Sequence, residues 1–237
     1  MRIASLPHAT LRSGRGAGVL LAAGAFAIAL ESVALADEPE SSGPTSSTAR
    51  APDDEMRAYY AGEKTTAFVF VAVGVVSAAA GAVLVTREGD FARGMGWSVL
   101  GLGAFEALGA GFYAFQVDAQ LAHYSETLAR DPAAFKREEL THIHGTTSRF
   151  VVYRLSEVAL ALAGAGVATY GFAANKDAWK GIGIGVAAEA LTFFLLDSFG
   201  QARAVAYEER VRRFEPTVSL QLGGKDRPWS VGVGGKF

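Results

Sequence analysis

Hydrophobic positions along the chain gather into four long runs, each closed by short polar breaks. Thr65 to Thr86 is 22 residues without a charge, enough helix at about 1.5 Å per residue to cross a hydrocarbon core of about 30 Å. Arg87-Glu88-Gly89-Asp90 interrupts the pattern, and a second run follows from Gly94 to Val117, broken only by Glu106. A third, about Phe150 to Ala174, carries Arg154 and Glu157 near its start, and a fourth, about Gly181 to Phe199, carries Glu189 and Asp197. Hydropathy alone leaves the third and fourth spans marginal.

An internal repeat supports them. At an offset of 83 residues Gly62 matches Gly145, and Ala80-Gly81-Ala82 with Thr86 matches Ala163-Gly164-Ala165 with Thr169. In the following spans Glu106-Ala107-Leu108 matches Glu189-Ala190-Leu191, and Tyr124 with Glu126 matches Tyr207 with Glu209. A two-helix membrane unit used twice is the predicted architecture. Gly103, Ala107 and Gly111 make a small-residue groove on the second span, and Gly181 and Gly185 make another on the fourth, as close helix contact in lipid requires.

Past the second and fourth spans the apolar pattern narrows to a seam. Leu121, Tyr124 and Leu128, and then Ala204, Tyr207, Val211 and Phe214, are spaced three and four apart among charged neighbours, which predicts helices continuing beyond the bilayer as a packed stalk. The pattern then switches to alternation. Thr217 to Leu222 and Trp229 to Val233 flank the turn residues Gly223 to Pro228 and predict a β-hairpin. With Phe237 last, these final nine residues resemble the terminal strand of outer-membrane barrels. Two strands cannot close a barrel, so the hairpin is expected to dock on the stalk or on another subunit.

The beginning of the chain is of another kind. Arg2, Arg12 and Arg15 precede an apolar run from Ala17 to Leu30 and then Val33-Ala34-Leu35-Ala36, the order of a secretory signal peptide with a cleavage site after Ala36. Residues from Asp37 to about Asp54 are Ser, Pro, Thr and acid with little to bury, and read as disordered linker. The expected division is a signal peptide over 1–36, linker over 37–54, a first two-helix repeat with stalk over 55–131, a second over 132–215 and the hairpin over 216–237. The fold class is thus an all-α membrane protein of four transmembrane helices from two duplicated hairpins, with periplasmic helical extensions and a small C-terminal β-hairpin.

Composition narrows the function classes. Half the residues are hydrophobic, 19% are charged, the net charge is −2 and there is no cysteine. Nucleic acid and thiolate chemistry drop out. Export of residue 37 followed by four crossings places both termini in the periplasm of a bacterial inner-membrane protein, with Arg87, Arg93, Lys176 and Lys180 on the cytoplasmic loops. Arg130, Lys136 and Arg137 on the outer segments keep that charge rule from being decisive.

Glu139-x-x-His142-x-His144 contains one step of the pattern used in di-metal bundles, but no second such step exists, which makes these weak metal candidates. Gly181-x-Gly183-x-Gly185 lacks phosphate-loop spacing, and no nucleophile arrangement is present. No cofactor and no enzymatic activity are expected. Within the spans, Arg154, Glu157 and Asp197 are predicted to form a structural ion-pair group near the outer interface. Glu106 and Glu189, each about halfway through its span, are the ion- or proton-site candidates, with Gly74 and Gly166 opposite them. The first reading is a structural or interaction component of the cell envelope, presenting a stalk and hairpin to another envelope protein or to copies of itself; the alternative is a small transporter or ion- or proton-conducting protein. Membrane lipid is the one partner common to both.

Overall fold

The computed structural model describes residues 52–221 and 230–236, with side chains as far as Thr217. The expected signal peptide, nearly all of the expected linker and the expected hairpin turn lie outside these residues. Four helices follow one another: α1 (Pro52–Val85), α2 (Asp90–Arg130), α3 (Pro132–Ala173) and α4 (Asp177–Arg213). Pro52 and the acids Asp53, Asp54 and Glu55 open α1, proline fitting a first turn that lacks N–H partners and acids complementing its dipole. Residues 52–54, expected in the linker, are therefore helical.

The helices are 34, 41, 42 and 37 residues long, so each runs well past a hydrocarbon core of about 30 Å. All four are long and apolar enough to cross a membrane. Gly89, at φ 98°, turns the chain between α1 and α2, and Asn175, at φ 53°, does so between α3 and α4. Only Asp131 separates α2 from α3; its Oδ1 accepts from the amides of Ala133 and Ala134 at 3.0 and 2.9 Å and caps α3.

α1 packs along α2, and α3 along α4, as two antiparallel hairpins, while α2 and α4 meet at the centre. Glycine makes these contacts possible. A Cβ on Gly81 would overlap the backbone of Leu100, one on Gly183 that of Ala168, and one on Gly181 that of Phe91. Gly94 lies against Ala178 and Gly185 against Ser98, so α2 and α4 run in the same direction.

Around the outside, Phe105, Leu108 and Phe115 are 76, 77 and 84% exposed, an apolar surface that suits lipid rather than water. Beyond that band lies the main aromatic core, at the end away from the two hairpin loops. Met56, Tyr59 and Tyr60 of α1, Val117 and Tyr124 of α2, Phe135 and Ile143 of α3, and Ala204, Tyr207, Val211 and Phe214 are buried together there. Tyr59 stacks on Tyr207 at 4.0 Å, and Phe135 meets Phe214 edge-on at 5.6 Å. The sequence seam is thus the core of a stalk. β1 (Glu215–Gln221) and β2 (Ser230–Lys236) pair antiparallel from Glu215 opposite Lys236 to Gln221 opposite Ser230. They lie against α2 and α3.

Candidate functional site

The interior of the bundle is not uniformly apolar. In the stalk, Glu139 is fully buried, and the Tyr60 hydroxyl donates to its two carboxylate oxygens at 3.1 and 3.2 Å. Burial pushes this carboxyl up to about 7, against the opposing pull of the Tyr207 and Tyr60 hydroxyls. The Tyr207 hydroxyl itself is buried without hydrogen-bond geometry to any acceptor.

One layer nearer the membrane, Glu63 accepts from the Tyr113 hydroxyl at 2.9 Å and lies 3.8 Å from Arg203 Nε. Arg203 in turn donates to Thr66 Oγ1 at 2.5 Å, so α1, α2 and α4 are tied together where the stalk meets the apolar band.

Deeper still, Glu157 of α3 and Asp197 of α4 are neighbours across the hairpin. Arg154 is an electrostatic neighbour of both Glu157 and Asp197, but its direct contacts are elsewhere. It donates to Gln201 Oε1 at 2.7 Å and lies over the Phe194 ring at 4.6 Å. The reason is helix direction. Side chains lean toward a helix's N-terminus, which for α3 is the stalk end, and Gln201 is one turn closer to that end than Asp197.

At the centre lie the paired glutamates. Glu189 accepts from the Ser77 hydroxyl of α1 at 3.3 Å. Glu106 is 9% exposed, and both its carboxylate oxygens are buried with no hydrogen-bond partner from the protein. Its electrostatic neighbours are Glu189, Asp197 and Glu157, all acids. Glu106 lies 16 residues beyond the start of α2 at Asp90, and Glu189 12 beyond the start of α4 at Asp177. They are therefore about one turn apart in depth rather than level. Gly74 faces Ala107 as expected of the residue opposite Glu106, but Gly166 faces open space, and Gly164 fills the corresponding place against Ala187 and Gly183. The second hairpin is shifted in register relative to the sequence estimate.

The three weak metal candidates diverge. Glu139 points into the core, His142 lies beside Tyr124 at 5.5 Å, and His144 Nδ1 is 3.1 Å from Glu208. Helical spacing explains it, because positions 142 and 144 are about 200° apart around α3. Among the described residues no three His, Asp or Glu side chains come together as a metal site.

Tyr60, Glu63, Ser77, Tyr113, Gln201 and Arg203 all join this interior and none stood out in the sequence. Glu63 offered one clue, an acid two residues before the uncharged run that begins at Thr65. Comparison with protein-family models, with curated proteins and with solved structures gives no match. Its four long apolar helices make the molecule an all-α bundle of membrane type.

Proposed function

We propose that the protein is a multi-pass inner-membrane component of a bacterial envelope whose bundle anchors a periplasmic stalk and hairpin for interaction with another envelope protein or a second copy of itself. The observation that carries this reading is the stalk. All four helices continue beyond the apolar band and join in one aromatic core, and the terminal strands rest on α2 and α3. Such an extension adds nothing to membrane insertion, whereas a rigid projecting module is what presentation to a partner requires.

We read the two hairpins as copies of one unit. The 83-residue register, the central placement of both α2 and α4, and the outer placement of both α1 and α3 support a pseudo-twofold axis along the membrane normal.

Photo-crosslinking residues placed one at a time at Glu126, Arg130 and Glu138 on the stalk, and at Phe105 and Leu108 on the lipid face, test the role in cells. The stalk positions should yield a discrete adduct of one size, and the lipid-face positions none. Absence of any adduct from all three stalk positions, together with an intact envelope in cells that lack the gene, would sink the interaction reading.

A further inference from the structure

The buried ionisable groups are distributed unevenly along the bundle, and that asymmetry has a functional meaning. Counting from the loop end at about 1.5 Å per residue, the Glu106 and Glu189 backbones lie roughly 18–24 Å in. Glu157, 16 residues before the end of α3 at Ala173, is level with Glu106; Asp197 lies beyond, then Glu63 with Arg203, and finally Glu139 in the stalk. On the loop side of Glu189 the interior of the described residues holds the hydroxyls of Ser77 and Ser98 and helices brought into backbone contact at Gly81, Gly94, Gly181 and Gly183; the mostly buried Lys180 lies at the loop itself, paired with Asp177 at 2.7 Å. Ser98 is turned back on its own helix, donating to the carbonyl of Met95 at 2.9 Å.

The buried polar atoms that the protein leaves without a hydrogen-bond partner follow the same course. They include the Tyr207 hydroxyl, Arg203 Nε, one oxygen each of Glu63 and Glu157, and both oxygens of Glu106, where the series ends. An ionised carboxylate with two buried, unpartnered oxygens is strongly unfavourable in an apolar interior. What faces it deepens the problem. α4 presents Glu189 and Asp197 and α3 presents Glu157, with Arg154 engaged by Gln201 and Phe194. α1 presents the uncharged Gly74 and Ser77, and its Glu63 is held at the outer end by Tyr113 and Arg203. Among the described residues no cation is an electrostatic neighbour of Glu106, and the charge of Arg154 acts instead on Glu157 and Asp197.

We propose that Glu106 is a proton-binding site at the centre of the bundle, filled from the stalk side through the Glu63 and Glu157–Asp197 groups and closed toward the loop end. A proton leaves water at the stalk, forms an O–H bond on a Glu106 carboxylate oxygen and cancels one negative charge among four neighbouring acids. With no ionisable group among the described interior residues between Glu189 and the Lys180–Asp177 pair at the loop, the site loads and unloads from one side and does not conduct across the membrane. The site goes beyond the anchoring role proposed above and stands or falls independently of it.

Infrared spectroscopy of the full-length protein in lipid vesicles of single orientation tests the assignment. The carbonyl stretch of a protonated carboxylic acid, which ionised carboxylates lack, should be present at neutral pH. It should lose one carboxyl's intensity in Glu106→Gln and respond to a pH jump on the stalk face but not on the loop face. The wild-type measurement stands without any variant, so misfolding of Glu106→Gln cannot shelter the idea. A wild-type spectrum with no such band, a band unchanged in a folded Glu106→Gln protein, or equal response from the loop face overturns the proposal. So does steady proton flux through wild-type vesicles, because it would require a path to the loop end.

Discussion

At the scale of single residues, the interior is decided by which carboxylates have donors. Glu139 is fully buried with the Tyr60 hydroxyl donating to it and that of Tyr207 beside it, Glu63 has a tyrosine and a nearby arginine, Glu189 a serine, and Glu106 no donor among the described residues. Glu139 lies in the stalk, where its titration can be followed as stability. Its carboxyl is displaced from 4.5 to about 7. Between those values the folded protein holds a proton that the unfolded chain has released, so raising the pH through this window favours unfolding; above it both states are ionised and the dependence ends. At about 1.4 kcal/mol per pH unit the full effect is roughly 3 kcal/mol. Glu139→Gln, which keeps a partner for Tyr60, should be less sensitive to pH between 5 and 7 than the parent in unfolding followed by circular dichroism. Identical slopes for the two proteins would show that Glu139 is not held protonated. Arg154 makes a related point about prediction. Its charge and depth were legible in the sequence, but its partner depended on which way α3 runs, which sends the guanidinium to Gln201.

At the scale of elements, helix ends follow local chemistry and helix pairing follows glycine. The cap at Asp131 is the whole connection between α2 and α3, so Asp131→Ala should cost about 1 kcal/mol, read as a fall in unfolding free energy with the fold retained. Two glycines on facing and open sides give a sharper contrast. A Cβ at Gly183 would collide with the backbone of Ala168, whereas one at Gly166 meets nothing within 4 Å. Gly183→Ala should therefore destabilise the α3/α4 hairpin by roughly 1–3 kcal/mol, and Gly166→Ala should be tolerated. Equal behaviour of the two variants in thermal unfolding would mean that α3 and α4 do not meet in this register. The expectation that placed Gly166 opposite Glu189 came from folding the hairpin about an assumed turn, and two residues of error at the turn move every contact onto another helix face.

At the scale of the whole molecule, four helices long enough to cross with both hairpin loops at one end would put the two termini on the same side, and the proposed orientation makes that side the periplasm. Reporter fusions at Gly89 and Ala174 should report cytoplasm, and a fusion at the C-terminus periplasm. A cytoplasmic C-terminus would require one span not to cross, and the two-copy architecture would fail with it. In the orientation proposed above, the Glu139 core, the Glu63–Arg203 group and the docked hairpin would lie together on the periplasmic side, the face proposed to meet both partners and protons.

Sequence by itself determined the elements, because their signals are local. Long uncharged runs report helices of membrane length, the three-and-four spacing of Tyr124, Tyr207, Val211 and Phe214 reports a buried face, and alternation near the end reports paired strands. It also singled out Glu106, since a lone acid in an apolar span stands out without knowledge of its surroundings. Tertiary structure alone decided the partners. Ser77 meets Glu189 across 112 positions, Tyr60 meets Glu139 across 79 and Arg203 meets Thr66 across 137. Such meetings depend on register between helices, which glycine contacts set to within a turn and which no local pattern encodes. The state of Glu106 is decided the same way, by donors that could have come from any of three neighbouring helices and come from none.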